Sequence, residues 1–307
     1  MQAKGGTELL LQALLEQLPA AQFAGIHLLV NSPNPELIQS DKINVLWNHH
    51  NTNQPAVRGY QDQALLDRIQ YFVYVSHWQY EKYRCAFSIP TERSVVIPNA
   101  TASRELKTKP AKIRLIYTST PWRGLEVLLD AFEWLNRDDV ELDIFSSTLI
   151  YGAAFAANNE AHFAPLFERA RRMRYVNYHG YASHETVLAA LAESHVFAYP
   201  CTWEETSCLA AIEAGLAGLS LVSTNLGALY ETIGPWGQLI PYETNKAVLA
   251  RKFAQALNQA IDGFWSAPVQ EKLQAQHLYF KRFYTWENRL PEWQRFLNQI
   301  QAPCATP

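Results

Sequence analysis

No stretch of the sequence approaches the ~20 consecutive apolar residues of a membrane-spanning helix. The first residues also lack the charged-then-apolar layout of a secretory signal, so the expectation is a cytoplasmic protein. Cysteine is scarce: Cys85, Cys201, Cys208 and Cys304 are irregularly spaced over 307 residues and form no C-x-x-C pair. That argues against a zinc ribbon or a dithiol redox motif and reads as free thiols in a reducing compartment. A formal net charge of -3 gives no global basic field, which disfavours holding nucleic acid by phosphate neutralisation. No Gly-x-Gly-x-x-Gly follows a strand, against a nicotinamide dehydrogenase, and no Asp-x-Asp stands at a strand end, against a metal-bridged diphosphate.

What is present is 48% apolar content, enough for a sizeable core and, at this length, for two domains. Strand-like runs at 23–30, 43–47, 72–75 and 95–98 alternate with helical patterns at 9–18, 61–69 and 78–87. A second series has strands at 113–117, 142–145, 176–179, 195–199, 219–223 and 238–240, with helices at 125–135, 185–192 and 209–216. Such alternation predicts α/β architecture, with parallel sheets covered by helices in doubly wound, Rossmann-like domains. The stretch 99–112, rich in Thr, Ser, Pro and basic side chains, predicts a surface linker between them. Helices at about 246–261 and 287–300 close the chain. The basic run Arg169, Arg171, Arg172, Arg174 is usually a solvated helix face; the other reading is an anionic acceptor or a peripheral membrane contact.

Ligands of open parallel sheets bind outside the carboxyl ends of the strands. The segment 195–218 has the required layout: an apolar run ending at Pro200, a polar turn through Glu204 and Glu205, and a helix that Thr206 or Ser207 can cap and Gly218 can end. Backbone N–H groups from Thr206 through Cys208 to Leu209 would meet a diphosphate there. Glu205 precedes the cap and Glu213 follows eight positions on; carboxylates are good bidentate acceptors for vicinal hydroxyls. A glutamate near a helix start is also simply favourable with the dipole, the plainer account of Glu204 and Glu205. Glu213, among Ala, Ile, Gly and Leu, is a poor place for an unpaired charge. Arg123, in a second strand-to-helix turn after 115–117, is the best cation for clamping a diphosphate. Gly5 and Gly6 open a helix where backbone can approach an anion closely. His49 and His50 follow the strand 43–47; adjacent histidines without a third ligand do not favour a metal. Ser76, His77 and Trp78 end another strand and are lesser candidates.

Taken together, the run from Tyr199 to Gly218 (YPCTWEETSCLAAIEAGLAG) resembles the signature of glycosyltransferase family 4, two glutamates separated by seven residues and then a small apolar helix. Val96-Ile97-Pro98-Asn99-Ala100 resembles its Pro-Asn-Gly hinge, with Ala100 for the glycine, and Leu226 to Glu231 its Gly-Gly-x-x-Glu segment. The turn Ser119-Thr120-Pro121-Trp122-Arg123-Gly124-Leu125 resembles a Ser-Thr-Pro-x-Arg-Gly-Leu variant from one branch, in which Ser119 and Thr120 stand where a first cation is usual. The likeness covers residues 95–290 well and the N-terminal third loosely.

That resemblance implies the GT-B fold, two Rossmann-like domains facing across a cleft. Gly5-Gly6-Thr7-Glu8 resembles the family's Gly-Gly-x-Glu, which follows a first strand, yet it stands four residues from the start, so the expectation is either a reduced N-terminal domain or a truncated chain. The implied domains are 1–105 on the acceptor side, 106–275 for the nucleotide sugar, and helices over 276–307 packing back towards the first. Trp286 and Trp293 there read as packing anchors. The implied activity is retaining, metal-independent and cofactor-free transfer of a hexose-type sugar from a UDP- or GDP-linked donor to a hydroxyl of a glycan, lipid-linked or small-molecule acceptor. Donor contacts fall to Gly5, Gly6, Ser119, Thr120, Arg123, Tyr181, Glu205, Thr206, Ser207, Cys208, Leu209 and Glu213, and the chemistry to Glu205, Arg123 and His49 or His50. Loops near Ser146 and Tyr181 would read the base. The rival is a catalytically weak or silent nucleotide-sugar or glycan-binding protein.

Overall fold

The computed structural model describes residues 5–302, so Cys304 lies outside the described residues. Contacts divide the described residues into an N-terminal unit, Thr7–Ala102 with Glu205–Ser207 and 283–302, and a C-terminal unit, Ser103–Glu204 and Cys208–Arg282 with Gly5 and Gly6.

The N-terminal unit contains α1 (Gly6–Gln17), β1 (Ile26–Val30), β2 (Ile43–Trp47), α2 (Gln63–Leu66), β3 (Tyr71–Tyr74), α3 (His77–Phe87) and β4 (Ser94–Val96). Its sheet is parallel throughout, in the order β1-β2-β3-β4. Successive strand residues point to opposite faces, so each apolar run serves two cores. Val45, Trp47 and Val73 pack with Leu10 and Leu14 on one face, while Leu46, Phe72 and Tyr74 pack with Tyr60 and Tyr83 on the other.

In the C-terminal unit come β5 (Ile113–Thr118), α4 (Leu125–Leu135), β6 (Val140–Phe145), α5 (Ala153–Arg172), β7 (Val176–Tyr178), α6 (His184–Glu193), β8 (Val196–Tyr199), α7 (Leu209–Leu216), β9 (Ser220–Thr224), α8 (Leu229–Ile233), β10 (Gln238–Ile240), α9 (Lys246–Gly263) and α10 (Ala267–Tyr284). The six parallel strands take the order β10-β9-β8-β5-β6-β7. The chain winds from β5 outward to β7, then returns to β8 on the other flank of β5. This reversal leaves a crevice at the carboxyl ends of β5 and β8, the place where such sheets bind ligands. The last helix, α11 (Trp286–Gln301), belongs to the N-terminal unit, where Trp293 meets Trp47 edge-on at 4.9 Å and Trp286 is buried.

Several expectations need amendment. The helix expected over 61–69 is a 3-10 segment, Pro55–Gln61, and the single turn α2, started anew by the Asp62 carboxylate accepting from the Leu65 N–H. Helices α5 and α10 were not foreseen as such; the first half of α5 is largely exposed and Pro165 sits inside it, so it carries little amphipathic signal. The stretch 99–112 is anchored rather than loose. Leu106 rests against Gly218, and the Lys109 ammonium donates to the carbonyls of Ala217 (2.8 Å), Ala192 (3.1 Å) and Leu191 (3.4 Å). The division expected at 275/276 falls within α10, whereas contacts change at Arg282/Phe283. In the basic run, Arg169 pairs with Asp130 and Glu133, and Arg171 with Glu168. Among the described residues no helix is long and apolar enough to cross a membrane.

Candidate functional site

Two turns meet at the crevice of the C-terminal unit. After β5, Thr120 leads into a 3-10 turn, Pro121–Arg123, and Gly124 starts α4 with φ at 111°, a left-handed value that favours glycine. A Cβ on Gly124 would stand 2.1 Å from the Pro200 carbonyl oxygen, so only a glycine lets this turn lie against the turn after β8. From the other side, the Thr202 hydroxyl donates to the Trp122 carbonyl at 3.1 Å. Two residues 80 positions apart in the chain are thereby clamped together at the ends of adjacent strands.

Arg123 closes the first turn and is half-buried. Ser119 lies 3.5 Å from the Tyr199 hydroxyl, and the Thr120 carbonyl accepts from the Tyr117 hydroxyl at 2.7 Å. Three buried hydroxyl oxygens at the ends of β5 and β6, those of Thr118, Thr120 and Ser146, find no hydrogen-bond partner among the described residues. Polar atoms buried in that state are costly unless something bonds them. Tyr181 follows β7 on the same edge of the sheet and is half-buried. A cavity of about 520 Å³ lies behind Trp122 and Gly124, but its cations are already paired, Lys246 with Glu126 and Arg169 with Asp130.

Helix α7 starts with Cys208 as its N-cap, without a side-chain capping bond. This corrects the expectation that Thr206 or Ser207 caps it. The Thr206 hydroxyl instead donates to the His49 carbonyl at 2.7 Å, and the Ser76 hydroxyl donates to the Thr206 carbonyl at 2.6 Å. A hydroxyl engaged by a backbone acceptor elsewhere is drawn away from its own helix. Gly218, with φ at 70°, ends the segment as expected for a left-handed C′ residue. Gly5 is buried, and a Cβ on Gly6 would meet Leu209, the first residue of α7, at an ordinary 3.8 Å. Glu213 is buried, and its Oε1 lies 2.6 Å from Nε2 of His184. Nothing in the residues near Glu213 signalled that partner, which comes from the start of α6. Burial works against charge on His184 and Arg104 opposes it too, yet the hydrogen bond and field of Glu213 raise its pKa above the usual value.

Glu205, Thr206 and Ser207 are all buried and cluster with the N-terminal unit. There the loop after β2 is held firmly. Besides the Thr206 contact, the His50 carbonyl accepts from the Gln79 amide at 2.8 Å and the Tyr83 hydroxyl at 3.1 Å. Gln79 and Tyr83 gave no sequence signal beyond helix α3. Ser76 also caps that helix, accepting from the Gln79 N–H at 3.0 Å. His49 leans on Trp47, ring to ring at 4.6 Å. Removal from water, with His50 beside it, holds His49 down at about 3. His50 is lowered by burial, against the opposing pull of Glu8. Both imidazoles are thus neutral at pH 7, and His49 Nε2 and His50 Nδ1 lack hydrogen-bond partners among the described residues. Neutral imidazoles of this kind suit hydroxyl groups better than phosphates.

Comparison with known proteins agrees with this geometry. The sequence profile of the glycosyl transferases group 1 matches residues 97–274, more than half of the chain. One human protein, a component of phosphatidylinositol N-acetylglucosaminyltransferase, is 27% identical over 128 residues, 42% of this chain but only 25% of that protein. The chain therefore spans about a quarter of the length of that curated relative. A glycosyltransferase from Rickettsia africae superposes with a TM-score of 0.67 at 15% identity, covering 98% of this chain and 83% of the other. Anabaena HepE, solved with UDP-glucose, superposes with a TM-score of 0.64 at 16% identity, covering 84% and 72%. These likenesses establish the fold, two parallel-sheet Rossmann-like units of the GT-B class. With the profile spanning β5 to α10, the chain belongs to the glycosyl transferases group 1 family.

Proposed function

We propose that the protein is a retaining, metal-independent hexosyltransferase of the family 4 type, acting in the cytoplasm on a UDP- or GDP-linked donor. The observation that carries the reading is the clamp of the Arg123 turn against the turn after β8 at the strand reversal. Arg123 and the backbone N–H groups at the start of α7, with Gly5 and Gly6 alongside, would hold the diphosphate. Ser119, Thr120 and the unsatisfied hydroxyls of Thr118 and Ser146 add donors where Ser119 and Thr120 replace the first cation usual in the family. Glu213 would accept from the ribose hydroxyls, Tyr181 would border the base, and Glu205 would accept from the transferred sugar. The neutral His49 and His50 would contact sugar or acceptor hydroxyls.

In the step itself, the acceptor oxygen attacks the anomeric carbon from the face that the diphosphate leaves. The carbon–oxygen bond to the diphosphate breaks, and the acceptor proton passes to the departing phosphate oxygen. Arg123 and the N–H groups of α7 stabilise the charge that develops there, the term usually largest in such catalysis. HepE, solved with UDP-glucose, makes uridine the first base to try.

The test is nucleotide release from UDP-, GDP- and ADP-sugars by the full chain, with and without a metal chelator. Turnover that survives chelation supports the reading. Thermal stabilisation without turnover would instead mark a silent nucleotide-sugar binder, and loss of turnover with chelator would remove metal independence.

A further inference from the structure

The cavity of about 520 Å³ behind the Arg123 turn lies wholly within the C-terminal unit, and nothing in the proposed reaction uses it. Its volume is that of an ordinary small-molecule site, roughly 300–1,000 Å³. Trp122 lines it, and α5 contributes His162, Phe163 and Leu166. Phe155 and Phe163, eight residues apart in α5, share a helix face, and their rings meet that of Trp122 at 5.9 and 5.7 Å. Tyr151 stacks on Trp122 with the planes 24° apart and packs edge-on against Phe155 at 5.3 Å. Tyr151 is 47% exposed and Phe155 36%, so the aromatic surface runs from the cavity out into solvent. Contiguous exposed rings beside a cavity are the mark of a binding surface.

The polar lining selects among ligands. Lys246 pairs with Glu126 at 2.6 Å and Arg169 with Asp130 at 2.7 Å, so the charges come in opposed pairs, with no excess cation for a phosphate. A hydrocarbon chain would strip water from those pairs and from the exposed His162 imidazole without replacing its hydrogen bonds. A pyranose ring satisfies both demands, since its C–H face packs on an aromatic ring and its hydroxyl rim takes over the hydrogen bonds of the displaced water. We infer that this cavity is a carbohydrate-binding site separate from the donor crevice, taking a neutral oligosaccharide with Trp122 and Tyr151 as the stacking rings and His162 at the rim. Trp122 adjoins Arg123 in the chain, and its carbonyl is the one that accepts from Thr202. A glycan bound here is thus tethered beside the donor turn and held at raised effective concentration. That consequence rests on the transferase reading above; the binding itself does not.

The experiment is calorimetric titration of the full chain with neutral trisaccharides of glucose, N-acetylglucosamine, mannose and galactose, with octyl glucoside, UDP and GDP as separate titrants. At least one trisaccharide should bind. Tyr151→Ala and His162→Ala, both at exposed positions, should each weaken that binding by about threefold to tenfold. Trp122→Ala should weaken it by about tenfold or more. Nucleotide affinity in the Tyr151 and His162 variants should stay within about twofold of wild type, because neither residue touches the donor in the proposed site. Should Trp122→Ala not fold, the other two variants decide. Trisaccharide affinity unchanged in Tyr151→Ala and His162→Ala would put the saccharide elsewhere and overturn this site while leaving the donor reading intact. No response to any trisaccharide overturns it as well, and a response to octyl glucoside alone would mean that an alkyl chain fills the cavity. If neither nucleotide binds but the trisaccharide results hold, the donor reading fails and the carbohydrate site stands.

Discussion

At the scale of single residues, the proposed function assigns the two glutamates different tasks. Glu213 sits in the second turn of α7 and is held by His184, whereas Glu205 precedes the helix and clusters with the loop of His49. Glu213→Ala should raise the dissociation constant for the nucleotide by about tenfold or more. Glu205→Gln should lower kcat by roughly a hundredfold with nucleotide affinity little changed. Steady-state kinetics with direct binding measurements separate the two; equal losses of affinity in both variants would refute the division. Gly124→Ala tests the clamp itself, since the new Cβ would collide with the Pro200 carbonyl and the backbone is left-handed. It should cost at least about 3 kcal/mol in urea unfolding. The sequence exposed Glu213 because small apolar neighbours make a charge conspicuous. It concealed His184, 29 positions away, because a long-range pair has no periodicity to follow. Thr206 misled for a related reason: capping propensity is local, and the His49 carbonyl that engages it is 157 positions distant.

At the scale of elements, strong local patterns were legible and weak ones were not. Helices α4 and α7 and strand β2 lie where apolar spacing puts them, at Leu125–Leu135, Leu209–Leu216 and Ile43–Trp47. The first half of α5, rich in alanine and mostly exposed, offers no face to read. Fixing α6 and α7 relative to each other falls to Lys109, whose three carbonyl partners end both helices. Lys109→Met should deprive the Ala192 and Ala217 carbonyls of their ammonium donor, while Leu191 keeps the Ser194 N–H, and cost about 1–3 kcal/mol, read as a lower melting temperature. Burial holds the ammonium down at about 8, against an unfolded value near 10.5. Between those values the unfolded chain binds more protons, so the Lys109 share of stability should rise with pH from about 8 to 10.5. The Met variant should lack that slope.

At the scale of the whole molecule, each unit buries a neutral imidazole whose protonation the fold resists. In the C-terminal unit, His195 accepts from the Arg114 N–H at 3.0 Å and donates to the Pro110 carbonyl at 2.9 Å; burial first, then Lys109 and Arg114, hold it at about 4. In the N-terminal unit, His49 is held at about 3. Unfolded histidines titrate near 6.5, so as pH falls below that value the unfolded chain takes up protons that the folded one refuses. Stability should then decline by about 1.4 kcal/mol per pH unit for each of the two until the folded values are reached. His184 acts in the opposite sense. Its contribution is complete below about 6.5 and is lost as pH rises through its raised folded value. The acid limb should therefore be the steeper: His49 and His195 act there, with His50 lowered in the same direction, whereas above neutrality the loss at His184 is offset by the gain at Lys109. Urea midpoints from pH 4.5 to 8.5 test this, and His195→Gln should flatten the acid limb by one proton. Midpoints that stay level from pH 7 down to pH 5 would show that the buried imidazoles accept protons without cost, and would remove the reason for reading His49 as a neutral partner for hydroxyl groups.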